Sequence, residues 1–309
     1  VKSEEGSTLV INNGTFTCDY GKKWSYTATI LVYGDTTING GTFIQKTTNT
    51  SSYAKVVMTG IVEGYEAITR VTDGTFTNEK LSGIFYAYGK ATSDNFEVSG
   101  GTFNKSISDG YCADGFIPTK NADGTYGVKE GKYVAKVGSK NYETLADAIS
   151  LATKGKTVKL LDDVTENIEI AKAKNFTLDL NGHTINGGTV KDKATITNYG
   201  TVTITDKSTA KTGTIKRDDQ GVEGETSYYV IRNIGTMTIE QANVVNNSGY
   251  RKTNPSGSMV GSSLICNGGD VGATLTINGG TFSGGINTIK NDDYGNLTIN
   301  DGDFDNTSQ

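Results

Sequence analysis

Apolar side chains in this chain come mostly one at a time. In LTINGGTF, Leu275 to Phe282, an extended backbone puts Leu275 and Ile277 on one side and Thr276 and Asn278 on the other. Nearly the same eight letters, LTINDGDF, return at Leu297 to Phe304. Weaker copies, INNGTF, INGGTF, VTDGTF and VSGGTF, end at Phe16, Phe43, Phe76 and Phe103, with steps of 27, 33 and 27 residues. A second pattern, Ile-x-Asn before a turn and a short β segment, puts Asn198, Asn233, Asn267 and Asn291 at steps of 35, 34 and 24 residues. Recurrence at 20 to 35 residues is the mark of a solenoid.

Each repeat offers strands of three to five residues, with too little apolar area to stand alone. Stacked coil on coil, such strands pair in parallel about 4.8 Å apart, and their inward side chains form continuous columns. No Leu-dense or helical repeat is present, so leucine-rich and ankyrin architectures are excluded. The expected fold is all-β, a right-handed single-stranded parallel β-helix. Phe16, Phe43, Phe76, Phe103, Phe282 and Phe304 are expected to stack as an internal aromatic ladder. Asn198, Asn233, Asn267 and Asn291 are expected to form an asparagine ladder at another bend, each amide bonding neighbouring coils. The Gly before each Thr-Phe pair marks a bend that needs positive φ or close backbone approach.

One region departs from the pattern. NADGTYGV, ending at Val128, carries an Asp-Gly turn between extended pieces, and Tyr133 to Val137 alternates as a strand. Leu145, Ala148, Ile149 and Ala152 then share one helical face. Thr144 is the expected N-cap with Asp147 three residues on, and Gly155 the expected C-cap. A lone amphipathic helix ahead of a β-helix covers the open end of its first coil. The chain therefore divides near residue 130 into two consecutive β-helical segments. Residues 1–117 are the last coils of the first, 118–132 a closing strand and linker, and 133–309 the second, with its capping helix near 144–154.

Composition narrows the function. The 309 residues include 40 Gly and only 2 Pro, 20% are charged, and the formal net charge is −5 with the signs interspersed. The absence of a basic stripe argues against a nucleic-acid partner, and the absence of an 18-residue apolar run argues against membrane insertion. Cys18, Cys112 and Cys266 are too scattered for a disulfide framework or a metal cluster. The sequence starts and stops within patterned regions, as a piece of a longer protein would.

YETLADAISLATKGKTVKLLDDVTENIEI, LDLNGHTI, INGGTF and GYCADGF followed by NADGTYGV resemble the β-helical repeat regions of large adhesin-like surface proteins of bacteria, within the broad pectate-lyase-like superfamily. The resemblance implies an extracellular location, secreted or on the bacterial cell surface. The implied function is a rigid stalk or adhesin-like module binding glycans or proteins on host or microbial surfaces. The alternative it implies is a polysaccharide lyase or glycoside hydrolase, which would need carboxylates, sometimes with Ca²⁺ and a basic residue, on an outward sheet.

Asp179 alternates with Leu178 and Leu180 and is expected to face outward, and Asp206 ends the next such strand, so these two form the candidate catalytic pair. Asp162 and Asp163 are further acids in turn-like sequence. Asp218, Asp219, Asp292 and Asp293 lie in loop-like sequence and are candidate Ca²⁺ ligands, although no EF-hand or calcium-repeat spacing accompanies them. Arg70, Arg217, Arg232 and Arg251 fall in no lyase pattern, and His183, the one histidine, follows Asn181-Gly182 at a bend. Candidate ligand-binding residues are Tyr20, Trp24 and Tyr26 in one loop, Tyr86 and Tyr88 on one strand face, and Asp218, Asp219 and Tyr228 around another loop. No other cofactor is expected.

Overall fold

The computed structural model describes residues 1–19, 27–47, 54–80, 83–190, 192–218, 228–247, 263–269 and 272–306. The chain forms two compact units, Val1–Lys132 and Tyr133–Gln309. Both are parallel β-helices.

In the first unit, four coils of three strands each build three stacked sheets. The first sheet contains Lys2–Ser3, Thr27–Val32, Ala54–Ile61 and Phe85–Gly89. Register is fixed by identity: Phe16 pairs with Phe43, Phe43 with Phe76 and Phe76 with Phe103. Their rings follow at 5.2, 4.8 and 5.3 Å. Phe43, Phe76 and Phe103 are fully buried, while Phe16, on the first rung, is half-buried. Gly101 shows why glycine precedes each Thr-Phe. Its φ is +103°, and a Cβ there would sit 3.1 Å from the Phe103 ring.

The last coil of this unit is closed by aromatic packing and a hairpin. Phe85, Phe96 and Tyr111 form edge and tilted contacts at 4.9 to 5.6 Å. Phe116–Lys120 and Tyr126–Glu130 pair antiparallel, and Tyr126 pairs back onto Phe103. The closing element is thus a two-stranded hairpin around Asp123-Gly124, rather than a single strand with a linker.

The second unit opens with a different cover. Ala135–Val137 pairs antiparallel with Lys140–Tyr142 on one side and with Lys156–Leu160 on the other. A helix, Leu145–Leu151, lies between them in sequence. Thr144 caps it, its hydroxyl accepting from Asp147 N at 3.1 Å, and Glu166 accepts from the N–H groups of Leu145 and Ala146. Leu145, Ala148, Ile149 and Ala152 are all buried in the core of this unit. The helix stops earlier than expected. Ala152, with φ −67° and ψ 135°, is the C-cap, and Gly155 instead turns the chain into the strand Lys156–Leu160 at φ +78°.

Five full coils and part of a sixth follow, in sheets of eight, six and five strands. Asn198 pairs with Asn233, Asn233 with Asn267 and Asn267 with Asn291. Each amide nitrogen donates to the next side-chain oxygen at 2.8, 2.8 and 2.7 Å. The first three are fully buried, and Asn291 ends the ladder exposed. Phe282 and Phe304 stack at 4.8 Å, with Phe304 39% exposed on the last rung. Among the described residues no helix is long and apolar enough to cross a membrane.

Candidate binding faces

The candidate carboxylate pair is brought together, but not outward. Register aligns Asp179 with Lys159 and Thr205, on the strand side that parity gives to solvent. Asp179 is nevertheless only 3% exposed, because the excursion after Thr205 folds over it. Its Oδ1 accepts from Asn181 N at 3.1 Å and Lys207 N at 3.0 Å. Asp206, 1% exposed, accepts from Gly182 N at 2.9 Å, Ser208 N at 2.9 Å and Gly213 N at 2.7 Å. Burial pushes the Asp206 carboxyl up, but these donors outweigh it and hold the group below the ordinary carboxylate value. Both side chains act as staples for two bends.

The other candidate charges are likewise engaged. Asp163 accepts from Thr184 N at 2.8 Å and lies 3.5 Å from His183 Nδ1, and Asp162 accepts from Asp163 N. Asp218 accepts from Asn186 at 2.5 Å and pairs with Lys216 at 3.0 Å, and both partners lower its pKa against the opposing effect of burial. Asp292 pairs with Lys290 at 2.5 Å, which lowers its pKa, and accepts from Asp293 N at 3.1 Å. Among the described residues no three His, Cys, Asp or Glu side chains are placed to hold a metal ion. Arg70 pairs with Glu97 at 2.9 Å, and fully buried Arg217 donates to the carbonyls of Val190 and Lys193. Arg232 donates to the Tyr228 hydroxyl at 3.3 Å, and Tyr228 packs on Tyr229 at 5.0 Å. Tyr20, Trp24, Tyr26, Asp219 and Arg251 lie outside the described residues.

Tyr86 and Tyr88 do share an outward face, the first sheet of unit one. Tyr86 follows Leu31 and Met58 in one column, and Tyr88 pairs with Gly60 in the next. Tyr33, which the repeats do not single out, completes this face. Its ring lies over Gly60 and meets Tyr88 edge-on at 6.4 Å, with Lys2 Nζ 5.7 Å from the ring centre. A Cβ on Gly60 would fall 2.4 Å from Tyr33 Cε1. Gly60 therefore makes the seat for the ring. Burial, then the neighbouring Tyr88, raises the Tyr33 pKa, so the hydroxyl stays a neutral donor at ordinary pH. Gly60→Val is expected to displace Tyr33 while leaving Tyr86 in place. Its near-ultraviolet circular dichroism should change with little change in the far-ultraviolet spectrum, and unchanged aromatic signals would contradict the seat.

A cleft of roughly 590 Å³ marks the second unit at the asparagine-ladder bend. Tyr199, 38% exposed, and Ile234 stand on it, with Gly200 and Gly235 beneath and Glu169 and Lys172 at one side. The repeats do not single out Tyr199, which follows the ladder residue Asn198; its place on the cleft depends on the lengths of neighbouring bends.

No protein-family model, curated protein or solved structure matches the chain.

Proposed function

We propose that the chain is a binding module of a large extracellular bacterial surface protein of the pectate-lyase-like kind, presenting outward sheet faces to glycans or proteins. The observation that carries this reading is the face of Tyr33, Tyr86 and Tyr88. It sets Tyr86 and Tyr88 on one hydrogen-bonded strand and Tyr33 at the end of its neighbour but one, tied by its N–H to Ser3 O, so little order is lost on contact. A half-buried aromatic cluster with nearby Lys2 suits stacking on sugar rings or a protein hot spot. The lyase or hydrolase alternative draws less support, since Asp179 and Asp206 are buried and accept from backbone N–H groups.

A glycan array probed with the labelled chain, alongside binding to intact bacterial and epithelial cells, tests the proposal. Retention is expected to fall at least tenfold in a Tyr33→Ser, Tyr86→Ser, Tyr88→Ser triple variant that keeps its far-ultraviolet spectrum. Release of unsaturated or reducing products from uronic-acid polymers, abolished in Asp179→Asn, would defeat the reading in favour of the enzyme.

A further inference from the structure

The cleft of the second unit arises from unequal bends. Between the five-stranded and eight-stranded sheets the chain turns once per coil. On the first coil the turn takes four residues, 171–174. On the next two it takes only two, Tyr199-Gly200 and Ile234-Gly235, and on the fourth it takes six, 268–273. The two tight bends leave a depression two rungs wide, roughly 10 Å from the strand spacing. It runs across the solenoid axis, from Glu169 on one sheet to Thr201 and Thr236 on the other.

Its floor is backbone. A Cβ on Gly235 would meet Gly200 O at 2.2 Å, and one on Gly200 would meet Ala171 O at 2.6 Å, so no side chain can fill the space from below. Its aromatic wall is held firmly. Tyr199 N donates to Ile170 O at 2.8 Å, and Asn198 Oδ1 accepts from Gly200 N at 3.0 Å. The buried amide ladder thus fixes the bend that carries the ring. Thr201 and Thr236, paired in register and exposed, add hydroxyls one rung apart. Glu169 and Lys172 are both exposed and offset each other in charge.

We propose that this cleft binds an uncharged linear glycan, one sugar ring stacked on Tyr199 and its hydroxyls bonded to Thr201, Thr236, Glu169 and Lys172. The inference rests on the binding-module reading and gives it a ligand class, at a site in the other unit. Size agrees, since small-ligand sites span about 300–1,000 Å³. Balanced charge disfavours a polyanion, which would need a basic cleft. A peptide strand has no edge to join, because Ile196–Asn198 and Ile231–Asn233 are each paired on both sides. Tyr199 and Ile234 are too small an apolar surface to anchor a helix.

Calorimetry on the full chain decides it, with hexasaccharides of β-1,4-glucan, β-1,3-glucan and α-1,4-glucan and with polygalacturonate as probes. At least one neutral hexasaccharide is expected to bind and to slow amide exchange at residues 199–201 and 234–236. Tyr199→Ala should weaken it at least tenfold, Tyr199→Phe should restore most of the affinity, and Tyr65→Ala, at an exposed ring outside both faces, should leave it unchanged. Binding that Tyr199→Ala leaves intact, preference for polygalacturonate, or no binding of any neutral hexasaccharide overturns the assignment. Loss with Tyr88→Ala but not Tyr199→Ala would overturn the cleft while sparing the binding-module reading.

Discussion

Replacing Asn233 by Ala is expected to destabilise the second unit by about 3–4 kcal/mol, the cost of several buried polar groups losing partners together. Asn233 sits at the middle of its ladder and is fully buried. Its Oδ1 accepts from Asn198 Nδ2, while its own Nδ2 reaches Asn267 Oδ1 at 2.8 Å, Thr274 O at 2.9 Å and Gly235 O at 3.3 Å. Truncation strands acceptors on the coil after and takes from Asn198 Nδ2 one of its three acceptors, leaving it Gly200 O and Thr236 O. In a stacked repeat these are separate nearest-neighbour interfaces, so both weaken. Leucine, though similar in volume, would leave the same groups orphaned and should do no better. Asn291→Ala, at the exposed end of the ladder, should cost well under half as much. Urea midpoints, with hydrogen exchange at residues 198–200 and 267, provide the measurement; equal losses at Asn233 and Asn291 would refute the accounting.

What the letters made legible follows from what is periodic. Strand alternation, the phenylalanine column and the asparagine column each repeat the same local demand on every coil, so register is over-determined. The helical cap was legible for the same reason, as four apolar positions at helical spacing. What depends on a single long-range contact was not. Asp179 has outward parity, yet residues from the excursion beginning at Asp206 cover it, and nothing in LDLNG announces that cover. Tyr33 needs Gly60, 27 positions later, and the two are related only through the pairing register. The helix end moved from Gly155 to Ala152 because the chain must leave the helix in time to place Val158 opposite Val137. The Tyr199 cleft was countable in principle, since bend lengths are differences between motif positions. It became interpretable only once the sheets showed which bends are neighbours.

Acid is expected to weaken the second unit through Asp206. The folded-state pKa of this carboxyl lies below its ordinary value of 3.8, so its stabilising contribution is fully present above the unfolded value. That contribution is lost as pH falls through the folded value, below about pH 4. The structural cause is the ring of donors: Gly182 N, Ser208 N and Gly213 N converge on one carboxylate and tie the excursion 206–213 to the bend at 180–183. Asp206→Ala is expected to cost about 3–5 kcal/mol at neutral pH, since three N–H groups lose a charged acceptor together. Asp206→Asn should cost less but remain damaging, because one amide hydrogen must oppose Gly213 N or another of these donors. In both variants the fall in stability between about pH 5 and pH 2 should be shallower than in the parent, because the titrating group is gone. Urea midpoints across that range test the claim. An acid slope unchanged in Asp206→Ala would assign the acid sensitivity to other carboxylates and remove Asp206 from its place as the pin between these coils.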